Sequence, residues 1–280
     1  MKTVALLAVL ALLTGGVSEC VAQAQPLAPP PLPQSKVQPV LDAAAKAGQF
    51  TYIVFTKGDS EASRSMLKTV KEGVASRGGK ATFTTADANS AGEQTLVEKF
   101  GVGRAPMPLT VAVAPNGAVT GVFAKAITDE QMAVAIVPPT MMRCMKSLQE
   151  QKIVFVCLTR DPSLKADVPA GVRMLQLDPD FKERVVLVSM LVDDPAESRF
   201  TQQMKLDTAK VKGPYAVLIA PPGVLIGHFD AKSTQTEIAA AIHKAGQCCD
   251  DPNCKHGHAT PKSPPAPKGP SAQRTTSGRN

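Results

Sequence analysis

The sequence predicts an α/β protein of two tandem domains, each a mixed sheet flanked by helices. Three observations carry that reading. The stretch from Pro108 to Phe123, followed by a helical segment ending at Ile136, recurs without a gap from Pro214 to Phe229 and on to Ile242. Val111/Val217, Ala114/Ala220, Pro115/Pro221, Gly117/Gly223 and Gly121/Gly227 all superpose at one offset of 106 residues. Self-similarity at a fixed spacing marks a repeated structural unit. Each copy reads as strand, glycine turn, strand, helix, and each is preceded by alternating strands and helices, which gives a sheet covered on both faces. Finally, 280 residues with 44% hydrophobic content suffice for two cores, and 4% aromatics with no Trp make those cores aliphatic.

In chain order, Lys2 precedes an apolar run from Val4 to Leu13, and Ala22 and Ala24 supply small residues before Gln25. This is the pattern of a signal peptide over residues 1–24, cleaved before Gln25, and it predicts export to a periplasmic or extracellular space. The run is too short to span a bilayer, so no transmembrane segment is expected. Cys20 raises a lipid anchor, which is disfavoured because Glu19 stands where a small residue is wanted. Residues 25–38 are Pro-rich, a stiff extended linker.

Domain 1 is expected over 39–137. Val40 to Ala47 reads as a short helix stopped by Gly48, and the β-branched and aromatic run Thr51 to Thr56 as a buried strand. Asp59 or Ser60 can cap the helix of Met66, Leu67, Val70 and Val74. Ala81 to Ala86 is a strand and Glu93 to Phe100 a helix, and the repeated unit follows. Pro138 and Pro139 mark the joint. Domain 2, over 138–246, runs in the same order: helix Thr140 to Gln151, strand Ile153 to Leu158, an irregular, partly helical stretch Pro169 to Lys182, strand Val185 to Val192, helix Glu197 to Leu206, and the repeat.

The net charge of +7 is not concentrated. The segment beyond Gly246 holds five Lys and Arg against Asp250 and Asp251, and the rest is spread without a basic run. Nucleic-acid binding needs such charges clustered on one face, so no nucleic-acid partner is expected.

The block with a proline heading its apolar strand resembles the thioredoxin superfamily, over nearly everything from about residue 38 to 246. The resemblance implies a central strand running into a Cys-x-x-Cys loop at a helix N-terminus, opposite a cis-proline. Pro108 and Pro214 stand at the cis-proline position. Ser60 and Ser63 occupy the two cysteine positions in domain 1, and the run from Thr159 to Leu164 in domain 2 also lacks cysteine. Serine cannot form a disulfide, and its hydroxyl is far less acidic than a thiol, so dithiol exchange is excluded at either place. Hydrolytic chemistry at Ser60 or Ser63 lacks a neighbouring His in the sequence. Tandem domains without cysteines resemble the noncatalytic binding domains of disulfide isomerases. The resemblance therefore implies protein or peptide partners, with Met107, Pro108, Gly213 and Pro214 lining grooves.

Five cysteines remain after leader removal. Cys157 lies inside an apolar strand and reads as core, and Cys144 as core or a pairing partner. Residues 247–258 gather Cys248, Cys249, Cys254, His256 and His258. Three thiols and two imidazoles suit zinc or copper as a cofactor. A disulfide competes. Cys248 and Cys249 do not suit each other, since adjacent Cα atoms lie about 3.8 Å apart, which leaves Cys254 or Cys144 as partner. Residues 259–280 are disordered by composition. The reading is an exported, redox-inactive binding or scaffold module without an enzyme site in either domain. The alternative places thiol–disulfide exchange or metal handling in the tail cysteines.

Overall fold

In the computed structural model, which describes residues 34–160 and 167–246, each half of the chain builds a four-stranded mixed sheet. Domain 1 comprises α1 (Gln38–Lys46), β1 (Phe50–Thr56), α2 (Glu61–Ala75), β2 (Ala81–Asp87), α3 (Gln94–Lys99), β3 (Leu109–Val113), β4 (Val119–Ala124) and α4 (Asp129–Ala135). Domain 2 comprises α5 (Pro139–Gln149), β5 (Ile153–Thr159), α6 (Ala170–Leu177), β6 (Val185–Leu191), α7 (Ser198–Gln203), β7 (Tyr215–Ala220), β8 (Val224–Asp230) and α8 (Gln235–Lys244). The strand orders are β2-β1-β3-β4 and β6-β5-β7-β8. In each sheet the first pair is parallel and the other two antiparallel. The register breaks between Ala112 and Val113 and again between Leu218 and Ile219, 106 residues on. These are two tandem thioredoxin-like domains.

The central strands are buried on both faces, which is why they read as unbroken apolar runs. Successive side chains alternate between faces. Tyr52 and Val54 meet Met66 and Val70 of α2 and Met132 of α4, whereas Ile53 and Phe55 meet Leu41 of α1 and Leu96 of α3. In domain 2, Phe155 and Cys157 face α6 and α8, and Val154, Val156 and Leu158 face α5 and α7. Each such side chain, taken fully out of water, contributes about 1.5–3 kcal/mol. The final helices start from matching capping boxes, Thr128 with Gln131 and Thr234 with Glu237. Gly117 (φ +81°) and Gly223 (φ +136°) supply the left-handed residue of the two hairpin turns.

The folded region begins before residue 39. Val37 is fully buried, Ser35 Oγ donates to Glu93 Oε2 at 2.7 Å, and the N–H of Lys36 donates to Glu93 Oε1 at 2.8 Å. Residues 34–38, expected in the linker, thus start domain 1. The expected signal peptide, the remainder of the expected linker, the Cys/His cluster and the basic tail lie outside the described residues.

Helix α5 joins the two halves. Met141 packs against buried clusters of both domains, and Met142 and Met145 pack onto domain 1. Gln149 Nε2 donates to the carbonyl of Val119 and Asn116 Nδ2 to that of Met142, while Arg199 reaches back to the carbonyl of Val134.

Candidate functional site

The cleft of domain 1 forms where β1 ends. Gly58 adopts φ +84°, and the chain then turns into α2 through Ser60, held extended at φ −126°, ψ 160°. Ser60 is the N-cap of α2. Its Oγ accepts from the N–H of Ser63 at 3.1 Å and lies 2.8 Å from Ser63 Oγ. The two positions expected to replace a dithiol are therefore adjacent, and both hydroxyls are engaged in the helix start. A cleft of about 330 Å³ opens beside them, lined by Thr56, Asp59, Ser63, Leu67, Thr85 and Asp87. No imidazole lines it among the described residues.

Facing this loop is the approach to β3. Lys57 Nζ donates to the carbonyl of Gly103 at 3.1 Å, tying the two loops together. The Met107–Pro108 bond is cis. Pro108 is buried, and its carbonyl accepts from the N–H of Lys125 at 2.8 Å. Met107 is half-buried, and its own backbone N–H and C=O take no hydrogen bond among the described residues.

Domain 2 differs at the same place. The expectation of a cis bond at Pro214 is corrected. Among the described residues the second cis bond is Pro221–Pro222, in the β7–β8 turn, and Gly213–Pro214 is not cis. An X–Pro bond is cis only where its surroundings select it, and the two approach loops are built differently. The loop into Pro214 leaves a 3-10 turn, Thr208–Lys210, that Arg160 holds. The Arg160 guanidinium donates to the carbonyls of Thr208 (2.6 Å) and Val211 (3.3 Å) and to Asp193 (2.6 and 2.8 Å). Arg160 and Lys57 each follow the last residue of a central strand, so both domains place a cation across the same gap. Arg160, Val211, Lys212 and Gly213 line a cleft of about 410 Å³. The expected cysteine-free run reaches past Arg160 into residues 161–166, outside the described residues.

Cys144 and Cys157 are free and buried. Burial pushes each thiol up to about 12, so neither holds a thiolate at neutral pH. His228 lies edge-on to Tyr215, and burial holds its pKa below the ordinary value. No group of three His, Cys, Asp or Glu suited to a metal occurs among the described residues. The expected zinc or copper ligands Cys248, Cys249, Cys254, His256 and His258 are outside them.

Two residues that bear on the architecture escaped the sequence reading. Glu197 is 3% exposed, and its Oε1 accepts from the N–H of Thr140 at 2.9 Å, at the start of α5. Glu93, 4% exposed, does the same for the approach to α1. Each carboxylate fastens the first helix of its own domain. The available signal was a Glu recurring 104 residues apart, after the second strand of each half.

No family model matches the chain, and no curated protein matches it either. Solved structures do. Human ERp44 form I is 8% identical over 78% of this chain and 56% of its own, with TM-score 0.34. The NTD_N/C domain of alkylhydroperoxide reductase AhpF from Enterococcus faecalis is 16% identical over 72% of this chain and 95% of its own, with TM-score 0.28. The first two thioredoxin domains of Saccharomyces cerevisiae Eps1p are 11% identical over 74% and 95%, also at TM-score 0.28. The fold assignment rests on strand order and register instead. No helix among the described residues is long and apolar enough to cross a membrane.

Proposed function

We propose that this chain is a redox-inactive, thioredoxin-like binding module, exported to a periplasmic or extracellular space, whose first domain takes an extended peptide along the backbone of Met107 and Pro108. The observation that carries the reading is the unpaired backbone of Met107. A half-buried residue with a free N–H and C=O at the head of an apolar strand offers an extended chain the pair of hydrogen bonds that a sheet edge offers a strand. In domain 2 Arg160 already occupies the carbonyls of Thr208 and Val211, so Gly213 and Pro214 form a weaker second groove.

Redox inactivity is supported by Ser60 and Ser63, whose oxygens cap α2 where the superfamily places sulfur, and by the buried state of both described thiols. Zinc or copper at Cys248, Cys249, Cys254, His256 and His258, or a disulfide there, remains part of the proposal. The test is a photo-crosslinker introduced in place of Met107 and presented with a reduced, unfolded client. Adducts at this position, and fewer at a crosslinker replacing Gly213, are expected. Absence of adducts at both overturns the groove. Insulin reduction is assayed in parallel with Cys248, Cys249 and Cys254 intact and replaced by serine. A rate that vanishes on replacement transfers the chemistry to the tail.

A further inference from the structure

Four sulfur-bearing side chains share the wall of one cavity of domain 2. It measures about 220 Å³ and lies between α5, the end of α7 and the β7–β8 turn. Met141, Cys144 and Met145 line it from one face of α5, at the i, i+3, i+4 spacing that brings side chains together. Met204, the C-cap of α7, closes the far side, and Phe200 and Leu225 complete the apolar wall. Cys144 and Met204 are 1% and 2% exposed, while Met141 and Met145 are partly exposed at the mouth.

Domain 1 supplies the control. The Lys36–Glu93 and Thr140–Glu197 bonds set the same stage of each domain 104 residues apart, and Phe100 and Met204, the C-caps of α3 and α7, keep that offset. At this offset Met141, Cys144, Met145 and Met204 stand where domain 1 has Val37, Val40, Leu41 and Phe100. At this sequence offset hydrocarbon stands at all four positions in one domain and sulfur at all four in the other. Met141 and Met145 also pack against domain 1, and the cavity left beside that packing gives a soft ligand room among these donors. Thioether and thiol donors select Cu(I) over harder divalent ions, and methionine's three rotatable bonds let the donors at the mouth close on an ion.

The geometry points to a Cu(I)-class metal site formed by Met141, Cys144, Met145 and Met204, separate from the tail cluster and independent of the peptide groove. A Cu–S bond to Cys144 replaces its S–H bond, the proton leaves to solvent, and copper stays Cu(I) throughout.

The experiment uses the full chain with Cys248, Cys249 and Cys254 changed to Ser and His256 and His258 changed to Gln, so that the tail cluster cannot answer. Cu(I) is supplied anaerobically against a chromophoric chelator, and copper K-edge absorption reads the donor atoms. One equivalent with a sulfur-only shell is expected. Adding Met141→Leu and Met204→Leu, volume-conserving exchanges of the kind cores tolerate best, is expected to weaken binding at least tenfold. Circular dichroism checks that this variant stays folded, and Met145→Leu alone serves as a milder second variant. Loss of copper when the tail donors are removed, a nitrogen or oxygen shell, or undiminished binding in both leucine variants overturns the site.

Discussion

The side-chain amide of Gln149 brackets the backbone of Val119, donating to its carbonyl at 2.7 Å and accepting from its N–H at 2.9 Å. Val119 opens β4, an edge strand of the first sheet. A residue of domain 2 thereby satisfies backbone groups that an edge would leave to water or to another chain. Gln149→Ala removes both bonds, and a loss of about 1–2 kcal/mol is expected. Hydrogen exchange at the Val119 amide should accelerate selectively. An unchanged rate there would show that the bracket protects nothing.

Ser60→Ala deletes the cap of α2 and should cost about 1 kcal/mol in chemical denaturation. The double exchange Ser60→Cys with Ser63→Cys asks a different question. With the two oxygens 2.8 Å apart, sulfurs in their place fall within bonding reach after small adjustment. A disulfide is expected on mild oxidation, seen as a loss of two mass units. The thiol introduced at position 60, at a helix N-terminus, should titrate below the ordinary range. Failure to pair would show that the loop is not built as a dithiol loop.

Alkaline pH should destabilise the fold. Cys144, Cys157 and Tyr52 are all raised to about 12, each chiefly by burial. The folded state therefore keeps protons that the unfolded chain gives up, so their contribution is fully present below the unfolded pKa values and is lost as pH climbs toward the folded ones. Melting temperature should be flat with respect to these groups below about pH 8.5, the free thiol value, and fall from there toward pH 12. Alkylation of both cysteines should be negligible at pH 8 in the native protein and complete in denaturant. Rapid native alkylation would contradict their burial.

Glu197 holds Thr140 with one carboxylate oxygen, while Oε2 is buried without a partner. Its counterpart in Glu93 is occupied by Ser35. Glu197→Gln keeps the acceptor for Thr140 and removes a buried carboxylate, so stability should hold or rise. Glu197→Ala leaves the Thr140 N–H orphaned at the buried start of α5 and should cost about 1–3 kcal/mol. Thermal melts of the two variants must separate, and equal losses would show that side-chain volume matters more than the bond.

The fold was legible because its evidence is local and repeated. The glycine turns at Gly117 and Gly223, the capping threonines and the apolar runs Thr51–Thr56 and Ile153–Leu158 each specify an element by themselves, and the 106-residue offset fixes their order. What could not be read depends on contacts between distant residues. Glu93 and Glu197 look like surface carboxylates until the chain folds over them. The hold on the loop before Pro214 comes from an arginine more than fifty residues earlier in the chain, and the α5–α7 cavity gains its Met204 wall only when that residue arrives from another helix.

A helix that serves two cores belongs to neither alone. Because α5 lays Met141 against both buried clusters, any fragment cut at Pro138 bares apolar surface on each side of the cut. The two halves are thus one cooperative body, and heat should melt them in a single transition. A partner that grips both clefts would therefore make its second engagement within a single molecule, at a high effective concentration.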